Sequence, residues 1–158
     1  MTLTGRPIEV RYRDNLSDTA GNPAHAATFI RQRLIVLDRE LRRNRREHRR
    51  ILIHELFHFV WVRLGNRKRR AWEDLVRSEW NARARGEAGW SAEWRKRNLT
   101  VRDVRQRKRK WLEYCCESFC DTAASLNSGT QTEVTLAPKR LAARRTWFAE
   151  QLGNRLLI

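Results

Sequence analysis

The chain has 158 residues, enough for one domain with a sizeable core, and its 41% hydrophobic content is that of a globular protein. No apolar run reaches the length of a membrane span, and the first residues lack the apolar core of a secretory signal, so the cytoplasm is the expected compartment. The net charge of +16, from 34 basic and 18 acidic residues, points to nucleic acid or acidic substrates as partners, or to a solvated surface whose many Arg reflect a GC-rich genome.

In chain order, Ile8, Val10 and Tyr12 alternate with Glu9 and Arg11, as in a half-buried strand. Residues 15–22 read as a loop closed by Asn22-Pro23, and residues 28–30 and 34–37 as further strands. A basic run over 39–50 gives way at Ile51 to a stretch that is apolar on nearly every side. That pattern predicts a buried helix, stopped at Gly65-Asn66.

Within this helix stands His54-Glu55-Leu56-Phe57-His58, which matches H-E-x-x-H. Positions i and i+4 share one helix face, so His54 and His58 can hold one Zn2+ while Glu55 reaches a water bound to it. Unpaired polar groups inside an apolar helix are costly, and a metal would satisfy all three. A core helix with two hydrogen-bonded His and a paired Glu is the alternative.

Residues 66–99 carry Trp72, Trp80, Trp90 and Trp94, with Gly86 and Gly89 between them. Trp72, Leu75, Val76 and Trp80 have helical spacing and should pack on a core. Aromatics interleaved with basic residues could also stack on single-stranded bases, and the segment could serve as a lid or cleft wall.

Thr100 with Asp103 reads as a helix start, and Val104, Trp111, Cys115, Phe119, Thr122 and Leu126 continue at helical spacing to Asn127-Ser128-Gly129. Another face of this helix bears Glu113, Glu117 and Asp121, each four residues from the next. Such carboxylates repel one another unless a cation faces them. Glu117, beside the small Cys120 and Ala124, is the favoured third ligand. Asp121 then supports a ligating His from behind, and Glu113 is the reserve ligand. A solvated acidic stripe is the plain alternative. Cys115, Cys116 and Cys120 have no distant partner for a disulfide. They read as small buried residues, or, for Cys116 and Cys120, as a thiolate pair for a second zinc. Pro138 suits the first turn of a last helix running to Leu152, which docks through Leu141, Trp147, Phe148 and Leu152.

His54-Glu55-Leu56-Phe57-His58 followed by Glu117-Ser118-Phe119-Cys120-Asp121 resembles the gluzincin arrangement, with two His from one helix and a Glu from a second. The flanks Leu34-Ile35-Val36-Leu37-Asp38, Arg49-Arg50-Ile51-Leu52-Ile53 and Asp121-Thr122-Ala123-Ala124 are most similar to the small ImmA/IrrE-type bacterial metallopeptidases. The gap from His58 to Glu117 is longer than in compact members. The resemblance implies an α+β, zincin-like fold in which a small N-terminal sheet precedes the H-E-x-x-H helix and a second, Glu-bearing helix. It implies one metallopeptidase domain over 1–158, with 66–99 an insertion or lid between the two metal-binding helices. It also implies a zinc metalloendopeptidase acting on a protein or peptide substrate, with Glu55 as general base. Tyr114, His25 or an Arg could stabilise the oxyanion. A basic nucleic-acid-binding protein with a structural or degenerate zinc site is the alternative. A protease of DNA-bound proteins, as the SprT-like enzymes are, joins the two readings.

Overall fold

A three-stranded sheet and a layer of helices carry the chain. The computed structural model describes residues 2–17, 21–129, 134–153 and 155–158. Strand β4 (Leu34–Asp38) is central, with β2 (Glu9–Arg13) parallel on one side and β3 (Ala26–Phe29) antiparallel on the other. Alternation in β4 turns Ile35 and Leu37 inward, where they pack with Leu41, Ile51 and Phe59. A separate parallel pair joins β1 (Thr2–Thr4) to β5 (Arg155–Leu157) and so ties the two ends of the chain together.

Asp38 ends β4 and accepts the backbone N–H groups of Leu16 and Glu40 at 3.0 and 2.8 Å, which starts a 3-10 turn over Arg39–Arg43. Helix α1 (Arg45–Arg63) follows. It begins six residues before the apolar run, because the Asn44 side chain caps it by accepting from Glu47 N at 3.1 Å. The basic residues ahead of Ile51 thus form its first turns. Leu64 leaves the helix in extended conformation, so Gly65 is the N-cap of the next helix as much as the stop of this one.

Residues 66–99 hold α2 (Asn66–Asn81) and α3 (Trp90–Arg97). Trp72 is fully buried and meets Phe119, Trp147 and Phe148 edge-on, with ring centroids 5.6, 5.0 and 5.5 Å apart. Its indole N–H donates to the carbonyl of Cys115 at 3.0 Å. Trp80 packs partly buried on the same core, while Trp90 and Trp94 stay in the open.

Residues 100–127 are not one helix. The Thr100–Asp103 capping box opens a short α4 (Val101–Arg105), and α5 (Arg109–Asn127) starts afresh. Between them Arg107 takes φ +47 in a C-cap that closes α4, with Lys108 N–H on the Asp103 carbonyl at 2.9 Å, and its guanidinium grips Glu73 of α2 at 2.8 and 2.9 Å. Helix α6 (Pro138–Gln151) has proline in its first turn. Trp147, Phe148 and Leu152 join the main core with Phe57, Trp61 and Phe119, whereas Leu141 packs in a small cluster with Ala88 and Leu136.

The whole is mixed α and β, with the sheet and α1 on one side of the core and α5 at its centre. Among the described residues, no helix is long and apolar enough to cross a membrane.

Candidate metal centre

Helices α1 and α5 pack side by side. His54 and His58 are one turn apart on α1, and Glu117 and Asp121 are one turn apart on α5, so two two-residue ridges face each other. His54 Nδ1 lies 2.8 Å from Asp121 Oδ1, and its other nitrogen, Nε2, lies 3.2 Å from Glu117 Oε2. His58 Nε2 approaches the same Glu117 oxygen at 4.0 Å, while its Nδ1 lies 3.4 Å from the Cys116 sulfur. Both Nε2 atoms therefore converge on Oε2 of Glu117. The other oxygen of Glu117, Oε1, is ion-paired with Arg95 at 3.2 Å.

Electrostatics follow from this packing. Burial disfavours charge on His54, but the charge of Asp121, the hydrogen bond to it and that to Glu117 outweigh burial and hold the imidazole well above its ordinary pKa. His58 is also raised: burial opposes, and the contact with Cys116 and the charge of Glu117 prevail. Burial pushes the Glu117 carboxyl up, but the His54 hydrogen bond and the charges of His58, His54 and Arg95 bring it down to about 2. Glu117 is thus held ionised among His54, His58 and Arg95, the state in which a carboxylate can serve as a ligand.

Glu55 is buried on α1 and accepts the Thr28 hydroxyl of β3 at 2.6 Å. It faces an open groove. One part, of about 500 Å3, is lined by Ala26, Thr28, His54, Glu55, His58 and Glu117. A second part, of about 710 Å3, shares His54, Glu55, Ser91 and Arg95 with it and extends past His25 and Trp94. Volumes of this size suit a ligand or a stretch of peptide.

Helix α3 closes one wall. Asp121 Oδ2 accepts the backbone N–H of Ala92 at 2.8 Å, so one carboxylate orients His54 and anchors α3. Gly89 makes this approach possible: a Cβ there would lie 2.5 Å from the Asp121 carboxyl carbon. Farther back, fully buried Arg144 binds Glu79 at 2.6 Å and Glu87 at 2.7 Å, and Glu87 also receives the Tyr114 hydroxyl at 2.6 Å. Lys96 joins Glu87 at 2.9 Å, which fixes the Gly86–Gly89 turn ahead of α3.

Of the residues singled out by sequence, His54, Glu55, His58, Glu117 and Asp121 come together here. Glu113 does not: it lies one turn before Glu117 on the same row of α5, beyond the two His, and pairs with Arg109 at 2.6 Å. Tyr114 is fully buried against Glu87 and lies outside the groove lining, whereas His25 is part of it. Cys116 and Cys120 do not form a separate centre. Among the described residues, the donor atoms of His54, His58 and Cys120 lie within 4.8 Å of one another and could share a metal ion. Thr28, Ser91 and Arg95 enter the site without a sequence signal, since only the packing of β3 and α3 brings them to α1. Comparison with protein-family models, curated proteins and solved structures finds no match for the chain.

Proposed function

We propose that the chain is a zinc-dependent metallopeptidase of the gluzincin kind, with His54, His58 and Glu117 as ligands and Glu55 as general base. The observation that carries this reading is the convergence of two imidazole Nε2 atoms on Glu117 Oε2, at 3.2 and 4.0 Å, on the floor of an open groove. The donor set fits the ion. Zinc takes imidazole nitrogen and carboxylate oxygen, three protein ligands leave a position for water, and the Asp121 partner of His54 is the support that ligating His commonly have.

When bound, zinc would polarise the scissile carbonyl and make its water acidic. Glu55 takes the proton of the attacking water and passes it to the leaving amine. The Thr28 hydroxyl steadies Glu55 by donating to Oε2, and Glu55 lines the groove. Arg95, on the groove wall beside Glu117, is a cation that would face the developing oxyanion. The substrate is a protein or peptide, and the free cysteines suit a reducing compartment such as the cytoplasm. The zincin-like description of the fold belongs to the same proposal, as does the lid role of residues 66–99. The deciding experiment is metal content and peptide hydrolysis of purified protein, wild type beside Glu55→Ala: both should hold zinc and only the first should cut.

A second reading rests on charge distribution. Glu73, Glu79, Glu87, Asp103 and Asp121 are buried, whereas among the described basic residues only Arg50 and Arg144 are. The solvent-facing surface is therefore more basic than +16 alone conveys. Such a surface attracts nucleic acid. It is compatible with a peptidase that works on nucleic-acid-bound proteins.

A further inference from the structure

We infer that Trp90 and Trp94 form a specificity subsite, which accepts an aromatic or large aliphatic side chain of a peptide lying in the groove; this rests on the peptidase reading above. The two residues are one turn apart on α3, and both line the wider part of the groove with His54 and Glu55. Trp90 is 64% exposed and Trp94 52%, while Trp72, Trp111 and Trp147 are buried in the core. The exposed pair is thus not spent on folding. Their rings are nearly parallel, with centroids 6.4 Å apart and planes at 19°, and they present one continuous apolar surface.

The support beneath them is rigid. Ala92 N donates to Asp121, Lys96 holds the Gly86 carbonyl at 2.8 Å and Glu87 at 2.9 Å, and the Arg95 guanidinium, 5.7 Å from the centre of the Trp94 ring, reaches Glu117. A preformed aromatic surface on a fixed helix binds an apolar group without an ordering cost. Pro23, Ala24 and Ile51 in the same groove lining add apolar surface.

A peptide is the occupant that follows from the position of these rings beside His54 and Glu55 in one groove. Bases stack on paired Trp rings too, and a single-stranded oligonucleotide is the competing occupant. Arg50 and Arg95 also line this part of the groove, so the favoured peptide has an apolar anchor beside acidic residues.

The test is a cleavage profile. Zinc-loaded protein is incubated with a proteome-derived peptide mixture, cut sites are read by mass spectrometry, and kcat/KM is measured on matched synthetic peptides with Phe or Ala at the enriched position. Trp94→Ala and Trp90→Ala should each lower kcat/KM on the Phe peptide by about 10-fold or more while the Ala peptide changes little, and Trp94→Phe should restore most of it. Zinc content should be unchanged. Equal losses on both peptides, or wild-type cleavage without any preference for apolar residues, overturn the subsite and leave the peptidase standing. If zinc-loaded wild type cuts no peptide, the peptidase reading fails. Binding of two fixed acidic peptides that differ only by a central Phe or Ala to the zinc-loaded Glu55→Ala protein, followed by tryptophan fluorescence, then decides the subsite. Tighter binding of the Phe peptide supports it. Equal binding, or quenching by a single-stranded oligonucleotide alone, overturns it.

Discussion

Asp121 accepts from His54 at 2.8 Å through one carboxylate oxygen and from the backbone N–H of Ala92 at 2.8 Å through the other. Three helices therefore meet at one side chain: α1 with the candidate ligands, α5 with the carboxylates, and α3 with the groove wall. Changes at Asp121 should register both in metal affinity and in the position of α3. Asp121→Ala should weaken zinc binding about 10–100-fold, the usual cost of losing a group that orients a ligating His. Competition with a chelating dye measures it, and unchanged affinity would detach Asp121 from the site.

Gly89 tests the same junction from the other side. A methyl group there would meet the Asp121 carboxylate at 2.5–2.8 Å. Gly89→Ala should therefore push Asp121 off His54 and cost about 1–3 kcal/mol of stability, as overpacking does. Denaturant unfolding and zinc affinity should both respond. If zinc affinity holds while stability falls, the strain is relieved by α3 alone.

The identity of the third donor separates two arrangements. Glu117 Oε2 sits 3.2 Å from His54 Nε2, while the Cys120 sulfur lies in a 4.8 Å cluster with both His. Glu117→Ala should lose stoichiometric zinc, Cys120→Ala should keep it, and Glu113→Ala should match wild type. Cobalt substitution gives an independent signal: a thiolate-to-metal charge-transfer band would show Cys120 as the donor and displace Glu117. His54→Ala and His58→Ala should each lose the metal, and Glu55→Ala should retain it. Metal-free but folded Glu55→Ala protein would sink the assignment of roles.

The buried Arg144 cluster makes a pH prediction away from the metal centre. Burial pushes the Glu87 carboxyl up, but the charge and hydrogen bonds of Arg144, with Lys96 and Tyr114, bring it below its ordinary value. A depressed carboxylate adds stability that is complete above its unfolded pKa of about 4.3 and is lost as pH falls through the folded value. Arg144→Met removes the main stabiliser of the charge, so burial prevails and acid unfolding should begin at higher pH. At neutral pH the same change should cost about 3–5 kcal/mol, because Glu79 and Glu87 are left buried without their partner. Circular dichroism across a pH series checks both parts. An acid transition at the wild-type pH would mean that the cluster does not report through Glu87.

The basic surface makes its own prediction. If it binds nucleic acid, affinity should fall steeply between about 50 and 200 mM salt, with a slope near 0.9 per phosphate contact on duplex DNA. Neutralising Arg67, Lys68, Arg69 and Arg70 together should flatten that slope, and Glu55→Ala should leave it intact. No binding at the lower salt concentration would make the charge compositional.

What the sequence by itself determined is local. Alternation in 8–12 and the apolar residues at 34–37 specify β2 and β4, and the H-E-x-x-H spacing places two imidazoles on one helix face whatever surrounds them, because these periods are properties of the backbone. Spacing also put Glu117 and Asp121 on one ridge. It did not say which carboxylates along that ridge would meet α1; packing brings Glu117 and Asp121 to His54 and leaves Glu113, a turn earlier, paired with Arg109. The break at Arg107 was invisible because periodicity continues across it and the left-handed cap carries no Gly or Asn; backbone bonds to Asp103 and Val104 close α4 there, and the distant Glu73 holds the Arg107 side chain. Thr28, Ser91 and Arg95 belong to the same class. Their neighbours along the chain carry no mark of a site, and their place in the groove comes from contacts of β3 and α3 with residues far along the chain. Tertiary packing decided, too, which tryptophans of one segment would be buried, since Trp72 faces a hydrophobic core and the outer side of α3 faces only solvent and the groove.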